Sequence, residues 1–305
     1  MSAMTLIEHA KHNGLGDLAE GVIETFGEQS KVISILPFQG IRGFTKQYRT
    51  REKFPAIAFR GINETFSTST SIINPEIETT KIFGALAKVD KALVDAEGKG
   101  AINEESTAQI QASGGFFERT FFKGDSLSDV REFDGLQTRI TGDNLIQNGT
   151  QALSLLTLDE AVNQCKGANV IFAGSKLMPY FTAVARTDVG GGINYTTNEL
   201  GKQITTYNGI PLVSVHDDDQ GNDILGFTEA SSTTSIYVCN ISANTLRGIQ
   251  TLNDGSGVAI DMITQEPTAS DPFYYAGFDW KASLLVENPR WAVRVSQITK
   301  AKFTA

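Results

Sequence analysis

The sequence predicts an α+β fold, and three observations carry that reading. Apolar residues form helical stripes at 15–26 and 101–122, strands and helices alternate after residue 157, and the chain is mostly strand-like beyond the Gly190–Gly192 loop. At 305 residues, 40% hydrophobic and 20% charged, the chain is globular in composition and long enough for a sizeable core.

The first element is a stripe of Leu15, Leu18, Ala19, Val22, Ile23 and Phe26, spaced as one face of a helix. Gly14, Gly16, Gly21 and Gly27 weaken it, so this helix needs a partner surface. From Ile41 to Lys88 no amphipathic helix is expected. The stretch is rich in Thr and Ser, with Arg42, Lys46, Arg49, Arg51, Lys53 and Arg60 first and Glu64, Glu76 and Glu78 after. So long a segment without a helix makes a poor internal loop and a better two-stranded arm whose partners lie on other molecules. Residues 101–122 follow as a second helix, with Glu104 and Glu105 in its first turn and Ile110, Phe117 and Phe121 on one face. Gly114 and Gly115 either bend it or allow close packing, and Lys123-Gly124-Asp125 ends it.

Thr157-Leu158-Asp159-Glu160 fits a capping box, opening a short helix that buries Leu158, Ala161, Val162 and Cys165. The strand NVIFA leads to Ser175, read as the cap of a further helix carrying Leu177, Tyr180, Phe181 and Val184. QITTYNG and IPLVSVH read as two strands about Asn208-Gly209, followed by SIYVCNIS and VAIDMI. Alternation from Phe278 to Glu287, the turn Asn288-Pro289, and alternation again through Trp291, Val293 and Val295 predict a long C-terminal hairpin.

Chemistry finds no anchor. The net charge of −9 argues against a surface built to grip nucleic acid throughout. No nucleophile elbow, Walker loop or HExxH is present. Gly190–Gly192 do not join a strand to a helix as a dinucleotide loop would. The acidic turn His216–Asp223 resembles a calcium loop only loosely and lacks its closing Glu, so it reads as a solvated turn. His9 and His12 miss the i, i+4 ligand spacing by one and have no accompanying ligands. Cys165 and Cys239 sit in apolar stretches without a CxxC, as buried thiols do. Neither a signal peptide nor a membrane-spanning run is expected, and the reading is of a protein that works in a reducing cytoplasm or in something assembled there.

The order of the pieces resembles a known family. SILPF, FPAIAFRGINE, FFERTFFKGD and REFDGLQTRI in the first half are similar to the HK97-fold major capsid proteins of tailed bacteriophages. LDEAVNQCKGANVIFAGSKL, YNGIPLVSVHDDDQGNDILGF, SIYVCNIS and the closing WAVRVSQI continue the resemblance over nearly the whole chain, and FFKGD followed by EFDGL is its most specific part. The resemblance implies an N-terminal arm at 1–45, an extended E-loop at 46–88, a peripheral domain with a long spine helix beginning at 89–150 and completed by C-terminal strands at 271–305, and an axial domain at 151–270. It implies a shell subunit that assembles with itself into pentamers and hexamers of an icosahedral head around double-stranded DNA, bound without sequence specificity. Assembly is expected in the host bacterial cytoplasm, with portal and scaffold proteins and a decoration protein as further partners, and with no membrane, catalytic residue, cofactor or metal. A large N-terminal scaffolding domain, present in some members, is not expected here, so a separate scaffold protein or unassisted assembly is. An encapsulin-like compartment shell holding an enzyme cargo is the alternative within the fold, and an α/β enzyme with a β-rich accessory domain the alternative outside it.

The contact residues expected between subunits are Leu15, Leu18, Val22 and Phe26 of the arm, with Arg42, Lys46, Arg49, Arg51, Lys53, Arg60 and Glu64 of the E-loop. Covalent cross-links are not expected, although the family's best-studied type joins an E-loop Lys to a peripheral Asn and Lys53 and Asn288 are present. Residues 1–45 are expected to serve assembly rather than folding, so that a chain without them would still fold.

Overall fold

The computed structural model describes residues 4–5, 30–53, 55–66, 68–186, 192–197, 203–218, 221–252 and 259–304. The helix read at 15–26, with Leu15, Leu18, Val22 and Phe26, and His9, His12, Gly190 and Gly191 lie outside the described residues.

Strand β1 (Met4–Thr5) pairs with β2 (Pro37–Ile41), which follows the short helix α1 (Lys31–Ile35). The strands β3 (Thr45–Lys53) and β4 (Ile72–Thr79) come next, then β5 (Lys81–Asp90), α2 (Lys91–Glu97) and the long helix α3 (Gly100–Lys123). A single turn α4 (Leu136–Arg139) and β6 (Leu145–Gln151) lead into α5 (Leu155–Gln164), β7 (Val170–Gly174) and α6 (Met178–Ala185). The rest is strand: β8 (Ile193–Thr197), β9 (Gln203–Tyr207), β10 (Ile210–Val215), β11 (Thr234–Cys239), β12 (Arg247–Thr251), β13 (Ile260–Gln265), β14 (Phe273–Leu285) and β15 (Ala292–Ile298).

These strands make a six-stranded sheet of β1, β2, β12, β14, β13 and β5, a seven-stranded sheet in the order β6-β15-β11-β7-β10-β9-β8, and a separate ribbon, β3-β4. The C-terminal half of α3 joins the two large sheets. Phe117 stacks on Trp280 of the first at 5.1 Å, while Phe122 lies 5.3 Å from Phe172 and 5.1 Å from Tyr237 of the second. Such aromatic pairs add to the area they bury. The helix closes where FFKGD meets EFDGL. A Cβ on Gly124 would stand 2.3 Å from the Phe133 carbonyl and one on Gly135 2.6 Å from that of Thr120, so only two glycines allow this crossing. Of the two roles open to Gly114 and Gly115, close packing applies at Gly115, where a Cβ would sit 3.1 Å from the Asp218 backbone.

The β9–β10 hairpin turns as expected at Asn208 (φ 48°) and Gly209 (φ 83°), with Tyr207 opposite Ile210. Other expectations need correction. The C-terminal hairpin does not exist: β14 pairs with β5, β12 and β13, whereas β15 pairs with β11 and β6 in the other sheet. Alternation correctly gave the faces of both strands but carries no information on their partners. The box at Thr157–Glu160 is not a helix start. Helix α5 begins at Leu155 under a Ser154 cap, because the Leu155 N–H bonds the Thr304 carbonyl at 3.0 Å and the C-terminal segment sets where the helix begins. Ser175 opens a 3₁₀ turn ahead of α6 and makes no side-chain cap. Helix α3 starts at Gly100, which leaves Glu104 and Glu105 beyond its first turn.

The largest correction concerns residues 30–45. Val32, Ile33, Leu36 and Phe38 are buried in the main core, and β2 lies parallel to β12. A chain cut after residue 45 would lose these side chains, so its folding could not survive as expected.

Candidate inter-subunit surface

The ribbon β3–β4 runs in register from Thr45 opposite Thr79 to Arg51 opposite Ile73. Its two faces differ. Lys46, Tyr48 and Thr50 share one face with Glu78, Glu76 and Asn74, while Gln47 and Arg49 share the other with Ile77 and Pro75.

The root is bolted down. Glu78 accepts a two-pronged hydrogen bond from Arg139 at 2.8 and 3.0 Å and another from Ser283 at 3.0 Å. Forked guanidinium–carboxylate pairs of this kind fix angle as well as distance. Thr80 bonds Thr251 at 2.9 Å, and Thr251 bonds the Gly43 carbonyl at 2.9 Å, pinning the entry of one strand to the exit of the other. Tyr48 donates to Glu76 at 2.6 Å. Its phenol is pushed well above the ordinary value, first by burial and then by that carboxylate.

The tip is organised but uncovered. Arg60 donates to the Glu64 carbonyl at 3.0 Å and lies over the Phe66 ring at 5.0 Å, and the Glu64 carboxylate accepts from the Gly61 N–H at 2.8 Å. Ser69 clasps both main-chain groups of Ala56 across the loop. On this held frame Ile57 is 95% exposed, Phe59 107%, Ile62 95% and Phe66 67%. A monomer has no use for such a knob, and exposed apolar clusters mark contact sites.

The charged residues expected at the contact are placed as follows. Arg42 and Arg49 are exposed and Lys46 is half-buried, with Arg51 and Lys53 further along β3. Arg60 and Glu64 bind each other's segment and build the tip. The apolar knob was missed, although Ile57 and Phe59 alternate with Ala56 and Ala58 in a stretch that is otherwise polar. That two-residue period was the available signal.

Beside the root, a groove of about 460 Å³ lies between β5 and α3, lined by Phe83, Ala85, Gln109, Ala112, Ser113 and Phe116 among others. Elsewhere, Asp218 accepts from the Asn222 backbone at 2.9 Å and Asp223 pairs with Lys176, so these carboxylates of the acidic turn already have protein partners. Cys165 and Cys239 are both buried, and burial pushes the Cys165 thiol up to about 12 and that of Cys239 well above its usual value. Glu118 of α3 is buried too, 3% exposed, and holds Ser30 and the Lys31 and Val32 N–H groups; burial outweighs these bonds and raises its carboxyl to about 6.

The architecture is that of known shells. A family model for major capsid protein GP7 matches residues 16–154, which span the ribbon, α3 and the FFKGD–EFDGL crossing. The chain has the HK97 fold. Among solved structures, the chain is similar to the holo encapsulin complex of Synechococcus elongatus, at 14% identity and a TM-score of 0.67 over 90% of this chain and 89% of that one. It is also similar to the capsid of a native GTA particle, at 11% identity and a TM-score of 0.62 over 89% and 91% of the two chains. The subunit of Microbacterium phage Oxtober96 matches at 12% identity and a TM-score of 0.62 over 88% and 90%. No curated protein sequence matches the chain.

Proposed function

We propose that the protein assembles with itself into pentamers and hexamers of an icosahedral phage head that encloses double-stranded DNA, and that it performs no catalysis. The observation that carries the reading is the ribbon, rigidly rooted by Glu78–Arg139 and Thr80–Thr251 yet ending in an uncovered apolar knob. Burying each large apolar side chain of the knob is worth roughly 1.5–3 kcal/mol, so closure around many copies is strongly favoured.

In this reading the ribbon is the E-loop and residues 1–29, with the Leu15–Phe26 stripe, form an arm that grips a neighbour. The peripheral domain is α3 with the six-stranded sheet and the axial domain the seven-stranded sheet with α5 and α6, a division that takes β12 and β13 out of the axial span expected at 151–270 and β15 out of the peripheral strands expected at 271–305. Arg42, Lys46, Arg49, Arg51 and Lys53 meet acidic surface on that neighbour. Assembly takes place in the host cytoplasm with a portal and a separate scaffold, a decoration protein completes the outside, and the finished chain resides in the virion. The shell is held without covalent cross-links, so boiled particles run as a single band near 33.0 kDa.

Electron microscopy of purified assemblies tests the proposal: closed icosahedral shells are expected, and a protein that stays monomeric under all assembly conditions contradicts it. The match to an encapsulin supports one other reading, a compartment with protein cargo. Particles from the native source separate the two, since a head yields double-stranded DNA and a compartment yields a second protein.

A further inference from the structure

Strand β5 pairs with β14 along one side only, and among the described residues no strand lies on its other side. The Leu86 carbonyl accepts from the Gln109 side chain at 3.3 Å, so it points away from β14. In an antiparallel ladder these directions alternate, and the main-chain groups of Ile82 and Gly84 therefore face outward as well. Natural edge strands are guarded by charge, proline or bulges. This one instead shows Ile82, 68% exposed, and Leu86, 49% exposed. The apolar groove opens along the same edge, with Phe116 of α3 at its wall. The Gln109 Oε1 atom is buried there without a hydrogen-bond partner. An edge with no second strand partner among the described residues, an apolar slot beside it and a buried acceptor in want of a donor together describe a site for one more extended strand.

We infer that the missing strand is residues 56–60 of a second copy, added to the free edge of β5. The inference rests on the shell reading. This segment has no strand partner among the described residues. Ile57 and Phe59 project to one side and enter the groove beside Phe83 and Phe116, while Ala56 and Ala58, small enough for close approach, lie along Ile82 and Leu86.

The test uses two double variants, Ala58→Cys with Ile82→Cys and Ala58→Cys with Leu86→Cys; Cys165 and Cys239 are buried and do not compete. Oxidised shells of at least one pair are expected to run as linked oligomers without reductant, while free subunits run as monomers. In wild-type shells, hydrogen exchange at residues 82–86 is expected to slow at least about tenfold relative to free subunits. Closed shells in which both pairs stay monomeric overturn the inference. Protection at 82–86 without any link also overturns it, because another occupant then covers the edge. A wild type that forms no shell at all is a different failure, that of the shell reading itself.

Discussion

Half the residues of both β11 and β4 are β-branched, yet all six residues of β11 are buried whereas seven of the eight in β4 are exposed. The first is packed from both faces inside the seven-stranded sheet. The second has a single strand partner among the described residues. A two-stranded ribbon is marginal in water, so its persistence depends on the anchored root and, in the proposed shell, on what covers it there. The molecule thus separates residues that hold the subunit from residues that hold the assembly, and aromatic side chains occur in both sets.

The sharpest way to break that comparison is to remove one aromatic from each set. Trp280 is fully buried among Phe38, Phe83 and Phe117, and Trp280→Ala should lower subunit stability by about 3–5 kcal/mol in urea unfolding. Phe59→Asp should change subunit stability by less than about 0.5 kcal/mol while abolishing shells. Equal losses of stability in the two variants would erase the distinction.

The root lies between these extremes. Arg139→Ala leaves Glu78 half-buried without its forked partner and should cost about 2 kcal/mol. It should also make the ribbon a preferred site of limited proteolysis in free subunits. Unchanged cleavage would mean that the Thr80–Thr251 contact suffices to hold the arm.

Much of the first set was legible in the sequence. The two glycines where FFKGD crosses EFDGL and the Asn208-Gly209 turn are local signals with local causes. What escaped was non-local. Alternation assigned faces to β14 and β15 but could not tell that they belong to different sheets. Residues 30–41 looked like part of an arm because their partners, β12 and α3, lie far along the chain. The start of α5 is set by Thr304, which no local pattern near Ser154 reveals. At the surface the charges drew the eye, although the apolar knob between them is the more unusual feature, since exposed charge is ordinary.

Glu118 joins the two sets, because it ties Ser30, where the leading segment departs, to the long helix. Its folded-state value of about 6 lies above the ordinary 4.5, so the folded state binds this proton more tightly than the unfolded chain does. Stability from this group therefore rises as pH falls from above 6 towards 4.5, and is lost as pH rises again. The size is about 1–2 kcal/mol. Comparing urea midpoints at the two ends of that window, Glu118→Gln should show a smaller pH difference than the wild type; an equal difference would place the titration elsewhere.

The smallest effect is expected from the charges at the base of the ribbon. Reversing Arg42, Lys46 and Arg49 together should leave subunit unfolding nearly unchanged, because Arg42 and Arg49 are exposed and Lys46 only half-buried. Each exposed pair across an interface contributes at most about 1 kcal/mol, so a single reversal would be hard to see. Three act in the same direction on every copy of a shell, and their sum should lower shell yield at low salt. Raising the ionic strength screens the new repulsion and should restore part of that yield. The apolar knob would be indifferent to salt on this scale, which makes the salt response a way to tell the two contributions apart. Shell yield unaffected at every ionic strength would remove the basic residues from the interface and leave the knob to hold the ribbon.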